Sequence, residues 1–118
     1  MRAVIHRIET IDGDPLELAT IENQSNAGQW VRILVGPADG PGEESFDVNV
    51  CTPEWLRDEI ERTGPMVGRH LLIVNRWDVE TVSRAISGLV AKVEGLDWQA
   101  VGERLGRIGY WEFEDYRA

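Results

Sequence analysis

GEESFDVNVCTPEWL, residues 42–56, holds a strand, a sharp junction and the first turn of a helix in one line. Phe46, Val48 and Val50 alternate with Ser45, Asp47, Asn49 and Cys51, the period-2 pattern of a strand with one buried face. The pattern stops at Thr52-Pro53. Thr is a favoured N-cap, and Pro fits the first helical position because its missing N–H would be unpaired there anyway. Glu54 falls in the first turn, where the helix dipole favours negative charge. Leu56 and Ile60 share one helical face with Trp55 beside it. A sheet therefore hands the chain directly to a helix.

Upstream, Gln29 to Val35 reads as a strand, with Val31, Ile33 and Val35 on one side and Trp30, Arg32 and Leu34 on the other. The Gly/Pro loop 36–42 joins it to the 42–56 stretch as an antiparallel pair with a wide turn. Residues 2–9, RAVIHRIE, predict a first strand, with Val4, His6 and Ile8 on one side and Ala3, Ile5 and Arg7 on the other. Both sides are partly apolar. Asp12-Gly13-Asp14-Pro15 is a turn by composition. Leu16, Leu18 and Thr20 alternate with Glu17 and Ala19, as in a short strand or extended loop.

Downstream, Gly64-Pro65 ends the first helix. The continuous apolar run 71–74 predicts a strand covered on both sides or in an inner position. Asp78 caps a second helix with Val82, Ile86, Leu89, Val90 and Val93 on one stripe, and Gly88 within it invites a close approach to the sheet. Asp97 caps a third, striped by Trp98, Val101, Leu105 and Ile108. Strands come first and helices later. The expectation is a single α+β domain over 1–118, a mainly antiparallel sheet with about three helices packed on one face.

Twenty-one acidic residues against 12 basic give a net charge of −9. Residues 9–61 carry 13 of the acids and only Arg32 and Arg57. That field argues against nucleic acid or an anionic membrane as a partner, and it would speed the approach of a basic protein. No apolar run nears the ~18 residues of a membrane span, and the N-terminus is too charged for a signal peptide. The chain reads as cytoplasmic. One cysteine and two histidines offer no zinc spacing. Asp12, Asp14 and Glu17 fail the calcium-loop spacing and read as a solvated turn. No cofactor or metal is expected.

Catalytic chemistry is thin. His6 and His70 titrate near neutrality when unperturbed, but neither accompanies a nucleophile with a placed base. Cys51 precedes a helix N-terminus, where a thiolate could be stabilised; a small buried residue at a strand–helix junction is the better account. No phosphate-binding glycine motif is present. If residues 110–116 are extended, Trp111, Phe113 and Asp115 line one side and Tyr110, Glu112, Glu114 and Tyr116 the other, an exposed row suited to a partner's Arg and Lys.

GEESFDVNVCTPEWL (42–56) and LGRIGYWEFEDY (105–116) together resemble the immunity protein 8 family of bacterial polymorphic toxin systems, as do GRHLLIVNRWDVE (68–80) and EGLDWQAVGERLGRIG (94–109). The resemblance covers roughly residues 27–117. It implies an antidote that binds the toxic domain of a cognate effector, and it supplies no set of contact residues. On physical grounds Glu43, Glu44, Asp47, Glu112, Glu114 and Asp115 are expected to pair with basic groups of the toxin, with a nuclease as one basic target, while Tyr110 and Tyr116 add contact area. A small hydrolase using His70, or a non-inhibitory module or homodimer joined at a sheet edge, stands as the alternative. Monomer and homodimer are both open.

Overall fold

A computed structural model describes residues 1–112 of the chain. Five strands and three helices follow one another as β1 (Ala3–Thr10), β2 (Gly28–Pro37), β3 (Glu44–Cys51), α1 (Pro53–Thr63), β4 (Leu71–Ile73), α2 (Val79–Ala91), α3 (Trp98–Leu105) and β5 (Tyr110–Trp111). The sheet runs β1-β2-β3-β4, and β5 pairs with β3 beside β4. Every pairing is antiparallel except β3 with β4. A parallel neighbour needs a long crossover, and residues 52–70, with α1 inside them, supply it. This is the α+β single-domain architecture the residue pattern predicts.

The register explains the core. Val31 lies opposite Val48, and Ile33 opposite Phe46. Opposed residues project to the same face of a sheet, so these four form one apolar surface, each at most 2% exposed. Val82, Ile86 and Val90 of α2 and Val101 and Leu105 of α3 join it in one cluster with Trp77. Burying each such side chain contributes about 1.5–3 kcal/mol. Asp78 and Asp97 cap these two helices as predicted, accepting from the Thr81 and Ala100 N–H groups at 3.1 and 2.8 Å. Gly88 does not mediate a close approach: a side-chain carbon there would meet nothing within 4 Å.

α1 is placed differently. None of its residues is buried, and Trp55 packs flat on Gly28, where any Cβ would overlap the indole. Gly28 pairs with Cys51, so that contact is on the strand side opposite Val48 and Val50. Thr52 fixes the junction. Its hydroxyl accepts from Trp55 N–H at 3.4 Å, the N-cap geometry, and also from Ala27 N–H at 3.0 Å.

Three local expectations change. Leu16–Leu18 is a 3₁₀ turn that buries Leu16, not a strand; its alternation is too short to distinguish the two. β1 carries a bulge between Ile5 and Arg7, which resets the alternation. Ile5 lies opposite Val35 and Ile8 opposite Ile33, so both face the core and the simple odd–even split of the strand fails. β4 is an edge strand, with Ile73 54% exposed, rather than an inner one.

Candidate functional site

β3 shows two chemistries in alternate residues. Phe46, Val48 and Val50 enter the core, while Ser45 and Asp47 project to the opposite, open face of the sheet with Trp30 and Arg32 of β2. β5 adds Tyr110 to that face, because Tyr110 pairs with Asp47 while Trp111 pairs with Phe46. Trp111 accordingly turns inward. It stacks on Phe46 with ring centres 6.1 Å apart and lies over Gly102 of α3, where a Cβ would approach its ring to 2.8 Å.

An aromatic cluster on the open face runs from β2 to the β4/β5 edge of the sheet. Tyr110 meets Trp30 with ring centres 5.8 Å apart and His70 edge-on at 4.0 Å. The Arg69 guanidinium lies 5.4 Å from the Tyr110 ring centre, a cation–π arrangement. Trp30 stays 40% exposed and Tyr110 39%. A large aromatic left out of the core on the polar side of a strand is the kind of residue that anchors protein interfaces.

The acids expected to meet a partner's bases already have partners here. Asp47 receives two hydrogen bonds from Arg32, from Nε at 2.9 Å and from a terminal nitrogen at 3.0 Å. This paired carboxylate raises the Arg32 pKa above its ordinary value. Glu43 lies 2.7 Å from His6 Nδ1 and 3.7 Å from Arg7. Glu44 faces the core side and accepts from Trp111 Nε1 at 3.2 Å. Burial pushes its carboxyl above the usual range, partly opposed by that hydrogen bond. Glu112 accepts from the Ser45 N–H at 3.1 Å and tethers the chain after β5 to the start of β3. Glu43 and Glu112 thus lie at the start of β3, and Asp47 and Tyr110 pair farther along it. Glu114, Asp115 and Tyr116, with Phe113, lie outside the described residues.

Trp30, Arg32 and Arg69 are the residues that the sequence reading of the site passes over. The signal for Trp30 is present in the chain: it alternates with Val31, Ile33 and Val35 and must face away from them. The roles of Arg32 and Arg69 depend on pairings that only the folded register creates.

Of the groups considered for catalysis, His6 is exposed beside Glu43, while His70 and Cys51 are enclosed. His70 is 5% exposed, with its ring against Tyr110. Cys51 is fully buried, and burial pushes its thiol pKa up, away from the thiolate a nucleophile needs. The cleft that His70 borders is lined otherwise by aliphatic residues, glycine and Arg107. No group of three or more His, Cys, Asp or Glu side chains among the described residues is arranged to hold a metal ion. No helix among them is long and apolar enough to cross a membrane.

A family model described as Immunity protein 8 matches residues 3–116, nearly the whole chain. No curated protein and no solved structure matches it.

Proposed function

The chain belongs to the immunity protein 8 family, and from that premise we propose that it neutralises its toxin stoichiometrically, by docking the open face of its sheet on the toxic domain. The family makes it an immunity protein whose partner is a toxin protein. The observation that carries the rest is the exposed Trp30–Tyr110 pair, set on a sheet whose other face is packed by α2 and α3. Interfaces take most of their energy from a few such aromatic and arginine residues surrounded by polar contacts. Here the surround is Arg32–Asp47 and Arg7–Glu43.

Because those ion pairs are internal, the acids of this face act mainly by ordering its arginines. Steering falls to acids outside it: Asp12, Asp14, Glu17 and Glu22 follow one another with no base between them. A field of that sign accelerates the encounter with a basic domain. A nuclease, whose substrate groove must be positive to hold phosphates, is a toxin of that kind. Glu43, Asp47 and Glu112 belong to the rim of the proposed contact, with Tyr110 adding area; Glu114, Asp115 and Tyr116 are proposed as further contacts on their sequence chemistry alone. Glu44, turned toward Trp111, supports the face from beneath.

Co-expression tests the reading. The reading frames encoded beside this chain are searched for a large secreted protein, and the C-terminal toxin domain found there is expressed in a sensitive host with and without this chain. Survival only in the presence of this chain, with a one-to-one complex on sedimentation, is the expected result. Killing that this chain does not relieve contradicts it.

A further inference from the structure

A cleft of about 260 Å³ opens between β4, α2 and the turn after α3. It reaches Val48 and Ile86, which are 1% and 0% exposed, and Leu71, Leu72 and Leu89 form its walls. Protein interiors are packed with few voids larger than a water molecule, so a cleft that descends to core residues is a feature to be accounted for. Its volume falls below the roughly 300–1,000 Å³ of small-molecule sites and is on the scale of one large side chain. Leu89, on its rim, is 37% exposed.

Two observations tie the cleft to the proposed docking face and to the charge of its occupant. His70 borders it, and the same ring touches Tyr110 on the open face. His70 also has φ 61°, a left-handed conformation rare outside glycine, and such backbone strain clusters at ligand clamps. Arg107 borders the cleft from the surface, and its guanidinium forms no ion pair among the described residues. In a chain of net charge −9, a cation without a paired carboxylate beside an apolar cleft complements an apolar group that carries a negative neighbour.

We propose that the cleft receives one apolar side chain of the toxin domain and that Arg107 pairs with a toxin carboxylate next to it. The proposal rests on the immunity reading. It adds a selective contact: a toxin with Lys or Arg at that point is repelled by Arg107, and one without the apolar residue leaves the cleft empty, which is how related partners are told apart.

The test uses the full chain and a catalytically inactive form of the cognate toxin domain identified by that co-expression, with binding followed by calorimetry. Leu89→Trp fills the cleft from its rim, Arg107→Glu reverses the charge, and Leu96→Asp, at a fully exposed position, serves as reference. Leu89→Trp and Arg107→Glu are each expected to weaken binding at least tenfold, with Leu96→Asp within twofold of the wild type. Arg107→Glu alters only an exposed side chain and decides the matter if Leu89→Trp fails to fold. Wild-type binding with Arg107→Glu and a folded Leu89→Trp within twofold of it overturns the proposal and leaves the immunity reading standing. A wild type that neither binds nor protects overturns both. Wild-type dimerisation abolished by Leu89→Trp would assign the cleft to a second copy and overturn the toxin contact.

Discussion

Phe46 and Asp47 are adjacent on β3 and do opposite things. Phe46 pairs with Ile33, stacks on Trp111 and is 2% exposed. Asp47 holds Arg32 across the strand on a face where Trp30 and Tyr110 remain open to solvent. The covered face obtains its stability from apolar area removed from water. The open face contains ion pairs that are worth little to stability when part-exposed, together with aromatic area that folding leaves unburied. One face builds the domain; the other carries α1 at the Gly28 end and leaves Trp30 and Tyr110 exposed.

Substitutions at the two faces separate these roles. Phe46→Ala removes a fully buried ring and is expected to cost about 3–5 kcal/mol, read by urea unfolding; a loss under 1 kcal/mol would erase the distinction between the faces. Gly28→Ala drives a methyl into the Trp55 indole and is expected to cost about 1–3 kcal/mol by overpacking. Adding Trp55→Ala should recover most of that loss, which shows how α1 is seated on β2. Gly88→Ala should act in the other direction, stabilising by about 0.5–1 kcal/mol, since its site in α2 is spacious and helical.

The smallest effect is a slope. Burial raises the Glu44 carboxyl, so the folded chain holds that proton more tightly than the unfolded one. Its contribution to stability is fully present below the unfolded value and is lost as pH rises through the folded one. Glu44→Gln should flatten the fall in stability with pH across that window while keeping an acceptor for Trp111. An unchanged slope would mean that Glu44 is solvated like the rim acids.

Much of this was legible in the chain because it is local. The Thr52-Pro53 junction, the Asp78 and Asp97 caps and the stripes of α2 and α3 depend on residues within one turn of each other. The alternation of Val31, Ile33 and Val35 gave β2 its inward face and left Trp30 outside. What was illegible is relational. A one-residue bulge at His6 cannot be seen in RAVIHRIE, yet it moves Ile5 and Ile8 onto the same face. The acids of the 42–47 segment look like free charges until the register sets Asp47 beside Arg32 and the edge of the sheet brings Glu43 to His6. His70, Arg69 and Trp30 come together around Tyr110 only when β5 pairs with β3.

The central claim is that the open face binds the toxin without holding up the fold, and Trp30→Ala tests it most directly when affinity for the inactive toxin domain and urea stability are measured on the same preparation. Affinity should fall by about 2 kcal/mol or more, roughly thirtyfold, while stability changes by less than about 1 kcal/mol. Unchanged affinity, or a loss of stability as large as that of Phe46→Ala, would contradict it.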